Sequence, residues 1–169
     1  MSETSRVVVE RTRRRDADEL LALNRANTAY HAPWVTTWTD RDAFEAWFAK
    51  MVVGPNVSLL ARERATNDVV GVFNLSEIVL GVFRSCFVGY WGYAHTGARG
   101  LVTEALREVA RFGFDEIGLH RIEANIQPGN VRSIALAQRA GFTREGVSAR
   151  YLYLSGAWRD HEHWVLLSD

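Results

Sequence analysis

The residues best placed for chemistry lie in segment 85–104, where an apolar stretch leads through a glycine-containing loop into a helical pattern. The first backbone N–H groups of a helix are unpaired and carry a partial positive charge, so a diphosphate can bind there without a dedicated side chain. Gly97 and Gly100 would let the backbone approach such a ligand closely. A tight strand-to-helix turn without a ligand is the alternative, and a glycine-rich loop alone does not decide between the two.

Two other patterns of reactive side chains are less specific. His161 and His163 would share one face of a strand, but they lack the helical H-E-x-x-H spacing of a zinc protease, so we expect no metal. These histidines could equally contact a substrate groove or a partner subunit. Cys86 is the only cysteine, which excludes an intrachain disulfide and a cysteine-based metal site. Because Cys86 lies in an apolar segment, we expect an inert, buried thiol rather than a nucleophile.

The composition fits a single domain spanning residues 1–169. With 169 residues, of which 47% are hydrophobic, the chain should bury roughly 70% of the surface of its unfolded state. Its 20 basic and 20 acidic residues cancel, so nucleic acid is not an expected partner. The N-terminus lacks the apolar core of a signal peptide, and no apolar run approaches the roughly 18 residues of a membrane span. We therefore expect a cytoplasmic protein that does not associate with membranes.

The spacing of apolar residues predicts a mixed α+β fold with an antiparallel meander, unlike the strict alternation of a doubly wound sheet. Strands are predicted at 6–11, 57–64, 69–75, 85–93, 121–126, 144–154 and 157–167, and helices at 16–27, from 39 or 40, from 101 and at 131–140. Asp16 and Glu19 resemble a capping box at the start of the first helix. Thr39 or Asp40 would cap the second helix, and Gly141 would end the last one.

Short motifs in the second half of the chain carry a family resemblance. Residues 97–102 read Gly-Ala-Arg-Gly-Leu-Val and precede Thr-Glu-Ala-Leu at 103–106, while residues 130–133 read Asn-Val-Arg-Ser and Gly-Phe follows at 141–142. Over nearly its whole length the chain resembles the GNAT acyl-CoA N-acyltransferases, and most closely the RimJ/RimL group of protein N-terminal acetyltransferases. The loop of that family reads Q/R-x-x-G-x-G/A, so Gly97 and Val102 depart from it, although both changes leave the backbone N–H donors in place. Arg99 would partly replace the charge that is missing at position 97.

The resemblance implies a GNAT fold: an α+β fold with a mixed, mostly antiparallel sheet of six or seven strands, about four flanking helices and central strands that splay apart. It also implies acetyl-CoA as the cosubstrate and no metal. Splaying at Gly92 would free backbone N–H groups for the pantetheine and for the thioester carbonyl. Asn130 would hydrogen-bond the pantetheine. The implied cofactor site comprises Trp91, Gly92, Tyr93, Gly97, Ala98, Arg99, Gly100, Leu101, Val102, Asn130 and Ser133.

By the same resemblance, an amine attacks the thioester directly while both substrates are bound. The amine must be neutral, and an α-amino group, with a pKa near 8, needs less help than a lysine, with a pKa near 10.4. Glu77 and Glu123 are candidate bases, with His31 as a third, although either carboxylate could instead be exposed or paired. Ala137 stands where several related enzymes have a tyrosine that acts as a general acid. Ser133 is therefore the candidate proton donor to the thiolate, or else a hydroxyl bonded to its own helix.

The acceptor that the resemblance implies is the N-terminal α-amino group of a protein, with a ribosomal protein as the example. Residues 30–39 form an aromatic loop that either covers a substrate pocket or closes the core, and we expect Tyr30, His31 and Trp34 to contact the acceptor. Two alternatives stay open: acetylation of a small amine such as an antibiotic, polyamine or amino acid, and a CoA-binding module without catalytic activity. The protein could also form a homodimer.

Overall fold

The structure, a computed structural model, describes residues 5–168. In this part of the chain, seven strands form one sheet in the order β1-β2-β3-β4-β5-β7-β6. The strands are β1 Val7–Arg11, β2 Val57–Glu63, β3 Val69–Val79, β4 Ser85–Gly92, β5 Arg121–Ile126, β6 Thr143–Leu154 and β7 Ala157–Leu167. Strands β4 and β5 pair in parallel, whereas the other neighbouring strands pair antiparallel.

The α-helices are α1 Ala17–Ala26, α2 Thr28–His31, α3 Arg41–Phe48, α4 Leu101–Phe112 and α5 Val131–Ala140. Short 3₁₀ turns occur at Arg14–Asp16 and Ala94–Thr96, and single π-helical turns at Ala49–Val53 and Gly113–Ile117 extend α3 and α4. No helix between residues 5 and 168 is long and apolar enough to cross a lipid bilayer.

The fold confirms the predicted α+β class and the order of its elements, and it corrects several local expectations. Asp40 caps α3 as predicted, because its side chain accepts a hydrogen bond from the backbone N–H of Ala43 at 2.8 Å. Asp16 does not form the expected capping box with Glu19. Its carboxylate instead accepts from the backbone N–H of Arg13 at 2.7 Å.

Two further segments differ from their sequence patterns, and the end of a third is as predicted. Strand β3 continues to Val79, four residues beyond the predicted end, through a register irregularity after Ser76. The aromatic segment 30–39, which was expected to be a loop, begins inside the short helix α2, since that helix ends at His31. The end of α5 is confirmed, because Gly141 follows it in the left-handed conformation with φ of 100°.

Helices cover both faces of the sheet and bury a core on each. On one face, α4 packs through Leu106 and Val109 onto Phe73 of β3. On the other face, Leu20 of α1 packs onto Val72. The apolar residues of α4 return every three or four positions, which keeps one side of the helix on the sheet. The site lies where this layered core is interrupted.

The interruption is the junction of β4 and β5. The two strands pair over only three positions, from Ser85 with Arg121 to Phe87 with Glu123. Both strands then continue, β4 to Gly92 and β5 to Ile126, without pairing to each other within residues 5–168. The splay therefore begins directly after Phe87 rather than at Gly92, where the sequence placed it. It exposes one backbone edge of β4 over five residues, 88–92.

Candidate active site

A cavity of about 1120 Å³ fills the gap between the diverging strands. Its walls come from β4 and β5, the loop that precedes α4, the α2 segment and the start of α5. Most of the lining is apolar, while the exposed edge of β4 contributes backbone groups that can bond a ligand as a further strand would. The cavity is large enough for an elongated ligand that lies along β4.

The predicted diphosphate site lies at the cavity wall. Gly100 is the cap residue of α4 and adopts a left-handed conformation with φ of 78°, which glycine tolerates and which is strained for other residues. Among residues 5–168, no side chain caps the start of this helix, so its first N–H groups remain open to a ligand. Gly97 has an ordinary φ of −61°, but a Cβ there would lie 3.1 Å from the carbonyl oxygen of Ala94. Close packing, not an unusual φ, favours glycine at position 97.

Arg99 lines the cavity, but its charge is already engaged. Its guanidinium donates two hydrogen bonds to the buried carboxylate of Glu63, at 2.9 and 2.5 Å. These bonds hold the pKa of Glu63 below its usual value, so the carboxylate is ionised at neutral pH. The structure thus corrects the expectation that Arg99 replaces a missing positive charge, because its ion pair with Glu63 anchors the loop to β2.

Arg6 lies on the opposite side of the same loop. Its guanidinium donates to the carbonyl oxygen of Arg99 at 3.3 Å and to the carboxylate of Glu104 at 2.8 Å. One terminal nitrogen of Arg6 lies 3.5 Å from where a Cβ would stand on Gly100. A cation therefore borders the helix start, although it comes from the N-terminal segment and not from the loop motif.

Ser133 faces a hydroxyl that the sequence did not reveal. The phenol oxygen of Tyr90 on β4 lies 3.0 Å from Oγ of Ser133, and both residues line the cavity. Burial raises the pKa of Tyr90 to about 12, so the phenol is protonated at neutral pH. Ala137 occupies the position at which related enzymes are expected to have a tyrosine that acts as a general acid, and it is fully buried in the core. A strand thus supplies the phenol that the helix lacks.

Asn130 lines the cavity and also caps α5. Its side-chain oxygen accepts a hydrogen bond from the backbone N–H of Ser133 at 3.2 Å. This bond fixes the first turn of α5 and therefore the position of the Ser133 hydroxyl relative to β4. Only the amide nitrogen of Asn130 remains to donate to a ligand.

The expected acceptor-contacting residues lie together in the cavity, and the Tyr30 hydroxyl reaches the loop, 3.4 Å from where a Cβ would stand on Gly97. Tyr30, His31 and Trp34 all line it, and Arg132 stacks over the Tyr30 ring at 4.4 Å. A second hollow of about 450 Å³, lined by residues of the 28–37 segment and by Arg159, borders the cavity through His31 and Trp34. The aromatic segment therefore forms a cavity wall as well as covering the core.

His31 is the most constrained of these residues. It is only 5% exposed, and its Nε2–H donates to the carbonyl oxygen of Gly92 at 2.7 Å. A carbonyl can only accept, so Nδ1 carries a lone pair, and this buried atom has no partner within residues 5–168. Burial lowers the pKa of His31, which keeps the ring neutral at pH 7.

Four predicted site residues lie outside the cavity lining. Tyr93 and Leu101 are fully buried, and the Tyr93 hydroxyl donates to Asn24 at 3.0 Å. Glu77 is exposed at the β3 irregularity, where φ is 51°. Glu123 pairs with Arg121 at 2.7 Å. The remaining predicted residues line the cavity: Tyr30, His31, Trp34, Trp91, Gly92, Gly97, Ala98, Arg99, Gly100, Val102, Asn130 and Ser133.

Glu123 reaches the cavity only through a neighbour. Nδ1 of His163 lies 3.1 Å from its carboxylate and 2.6 Å from Oδ1 of Asn125, and Asn125 lines the cavity. Nε2 of His163 lies 2.7 Å from Oγ of Ser148. Both histidines of the His161-Glu-His163 pattern are thus engaged in hydrogen bonds, since Nδ1 of His161 meets the carbonyl of Arg159 at 2.9 Å.

The charged residues around the cavity share one sign. The described lining contains three arginines, Arg99, Arg132 and Arg139, and two histidines, but no aspartate or glutamate. The second hollow likewise contains Arg159 and no described carboxylate. The cavity therefore suits an anionic cosubstrate and provides no counter-ion for a polycation.

The family model for the acetyltransferase (GNAT) domain matches residues 6–143. The chain belongs to the GNAT acetyltransferase family. The resemblance found in the loop motifs and the implied fold are thereby confirmed. Strands β6 and β7, which lie almost wholly beyond the matched residues, complete the sheet beside β5.

Named relatives point to the same family. The chain is 31% identical to the "[Ribosomal protein uS5]-alanine N-acetyltransferase" of Escherichia coli, over 94% of this chain and 86% of that protein. It is 37% identical to the "Probable N-acetyltransferase YjcK" of Bacillus subtilis, over 62% of this chain, and that match spans only 58% of the relative. The solved structure "Mycobacterium smegmatis RimJ in complex with CoA-disulfide" superposes with a TM-score of 0.85 at 26% identity, covering 96% of this chain and 82% of that one.

Proposed function

We propose that this protein transfers the acetyl group of acetyl-CoA to the N-terminal α-amino group of a protein, such as a ribosomal protein. The observation that carries the proposal is a cavity of cosubstrate size whose described lining has cations and no carboxylate. The names of the Escherichia coli and Mycobacterium relatives support the same reaction. The choice of an α-amino group as the acceptor rests on a comparison of the pKa values of the candidate amines.

Acetyl-CoA fits the polar end of the cavity. Its diphosphate would meet the open N–H groups at the start of α4, with Arg6 nearby, and its pantetheine would run along the free edge of β4. That course brings the thioester toward Tyr90 and Ser133. No metal takes part in this proposal, since backbone donors stabilise the developing negative charge on the carbonyl oxygen.

The cavity offers little help to a strongly basic amine. At pH 7 about 10% of an α-amino group with a pKa near 8 is neutral, against roughly 0.04% of a lysine or similar amine with a pKa near 10.4. A carboxylate base would be needed to deprotonate the latter, and the described lining has none. An α-amino group can attack the thioester carbon largely unaided.

Collapse of the tetrahedral intermediate breaks the bond between carbon and sulfur and leaves a thiolate. The Ser133 hydroxyl can donate a hydrogen bond to that sulfur while it accepts one from the Tyr90 phenol, which is protonated at neutral pH. The amine loses its proton to water, and the thiolate leaves as an anion or takes up a proton from water. Neither hydroxyl ends the cycle deprotonated, and no covalent enzyme intermediate is formed.

The decisive experiment compares acceptors in one assay of CoA release. We expect turnover with peptides that have a free N-terminal alanine or serine. We expect none with the same peptides N-acetylated but carrying an internal lysine, and none with spermidine. Turnover confined to lysine, spermidine or another small amine would overturn the proposal in favour of a small-amine acetyltransferase. Tight acetyl-CoA binding without turnover of any acceptor would indicate a non-catalytic CoA-binding module.

A further inference from the structure

Buried polar atoms without hydrogen-bond partners single out two positions in the cavity. Within residues 5–168 there are four such side-chain atoms: Nδ1 of His31, Nε1 of Trp38, Nε1 of Trp47 and Oδ1 of Asn74. The two tryptophans belong to an aromatic cluster around Phe44 beneath the sheet. Only His31 and Asn74 line the cavity. Since an unpaired buried acceptor destabilises the protein, each of these two atoms indicates a missing hydrogen-bond donor.

Asn74 lies at the point where the sheet opens. It sits on β3 directly across from Gly89 of β4, two residues beyond Phe87, the last β4 residue paired with β5. Gly89 has no side chain, and a Cβ placed there would meet no described atom within 4 Å. The Asn74 side chain lines the cavity beside this space, next to the backbone where the thioester is expected, and because Oδ1 is buried, a half-turn of the amide presents this oxygen to a ligand.

Asn74 and Tyr90 reach the cavity from opposite faces of the sheet. Cross-strand partners share a face, so Asn74 is on the face of Gly89, and the next residue, Tyr90, points to the other face, where it meets Ser133 of α5. In the proposed function the thiolate leaves on the Tyr90 face. This arrangement leaves the Gly89 face, beside Asn74, for the amine.

An amide oxygen suits a neutral amine better than a carboxylate does. A carboxylate would stabilise the ammonium form and raise its pKa, which lowers the fraction able to attack. An uncharged acceptor takes one N–H of the amine without that penalty and leaves its lone pair free for the thioester carbon. This choice agrees with the lack of carboxylates in the described lining.

We propose that Asn74 binds the attacking amine, with its Oδ1 accepting a hydrogen bond from the amine N–H above Gly89. His31 has a different place, because it bonds Gly92, three residues or roughly 10 Å farther along β4. His31 also lines the second hollow, where later groups of an extended acceptor would pass. The proposal rests on the proposed function in one respect only, namely that the acceptor is an amine delivered to this cavity.

The test is a set of three variants assayed with the best peptide acceptor. Asn74→Leu keeps the size of the side chain and removes the acceptor atom. We expect it to lower kcat/KM for the peptide at least tenfold, while the Kd for acetyl-CoA and the slow hydrolysis of acetyl-CoA without amine stay unchanged. The matched control is Ser76→Val, two residues along β3 and outside the cavity, which should keep wild-type kcat/KM.

Asn74→Asp gives a readout that a structural role would not move. Its carboxylate should shift the acidic limb of the pH profile of kcat, measured at saturating peptide, upward by about one pH unit, since the ammonium form of the bound amine is stabilised. If Asn74→Leu fails to fold, this shift alone decides the matter. Wild-type kcat/KM in Asn74→Leu, or an unshifted profile in Asn74→Asp, would overturn the proposal. If the wild type acetylates only a small amine, the proposed function fails, and the same variants then test Asn74 with that amine.

Discussion

The two ends of the cavity are built in different ways. The cofactor end uses backbone groups of one continuous stretch, from β4 through the Gly97–Gly100 loop into α4. The acceptor end uses side chains from separate elements, with His31 on α2, Asn74 on β3 and Asn125 on β5. A backbone site depends on local conformation, whereas a side-chain site depends on the register of distant strands. Substitutions should therefore affect the two ends independently.

The largest expected effect is at the cofactor end. Gly100→Glu should abolish acetyl-CoA binding, because it places a bulky anion at the open helix start. Gly100→Ala is the control, since both variants bear the strain of φ 78°, about 1–2 kcal/mol, and only one adds the anion. Calorimetry should show no binding for the first and measurable binding for the second. Micromolar binding by Gly100→Glu would show that the diphosphate lies elsewhere.

Ser133→Ala tests the region between the cofactor end and the acceptor end, where the thioester is expected to lie. We expect kcat to fall by about 10²-fold, on the order of 3 kcal/mol, with little change in acetyl-CoA affinity, because the hydroxyl acts on charge that develops late. Tyr90→Phe should cause part of the same loss, and the double variant should lose less than the product of the single losses. Single-turnover kinetics would measure each value. Wild-type kcat in Ser133→Ala would assign the hydroxyl to its helix alone.

Glutamine variants of the two glutamates predicted as bases should differ in kcat in the same assay. Glu123→Gln should lower kcat a few-fold and by a similar factor at every pH, because Glu123 supports Asn125 at the cavity through His163 and is not a base in the proposed reaction. Glu77→Gln should leave kcat near the wild-type value, since that side chain is exposed at the β3 irregularity. Equal losses of kcat in both variants would contradict the conclusion that Glu123, and not Glu77, contributes to the acceptor end.

The smallest effect concerns pH and His31. The pKa of His31 is lowered in the folded state. As the pH falls, the unfolded chain therefore protonates this ring at a higher pH than the folded protein does. Stability should therefore be constant above the unfolded pKa, near 6.5, and fall as the pH drops below it toward the folded pKa. His31→Gln should weaken this dependence, as seen in Tm measured between pH 7.5 and 5. An unchanged slope would mean that His31 takes up its proton equally readily in the folded and the unfolded protein.

The backbone conformation at the start of α4 was predictable from the sequence because it follows local rules. A glycine before an amphipathic helix already indicates a helix start with open N–H groups, and Gly100 has the positive φ that such a turn requires. The same local reasoning failed for Arg99, since its partner Glu63 lies 36 residues away. A charge near a loop cannot be counted as free until its neighbours in the fold are known.

The acceptor end was only partly predictable. The aromatic segment indicated Tyr30, His31 and Trp34, which line the cavity. Asn74 and Tyr90 were missed, because nothing in an isolated strand says which neighbouring strand diverges from it or which helix faces it. Tyr90 could have been suspected from its alternation with Val88, which points it toward the helices. Glu77 was misplaced because a local irregularity turns it outward.

Gly92 is a glycine inside strand β4, and Val102 departs from the loop motif of the family. The packing of the two positions against each other links these two features. A Cβ at Gly92 would lie 2.9 Å from a methyl group of Val102, so the valine occupies the space that a strand side chain would otherwise take. The two positions thus share one volume, and either can grow only if the other shrinks. In evolutionary terms, substitutions at positions 92 and 102 should therefore be correlated. A smaller residue at 102 removes one of the two close contacts of a Cβ at position 92, and the carbonyl oxygen of Val70, at 3.3 Å, remains as the other.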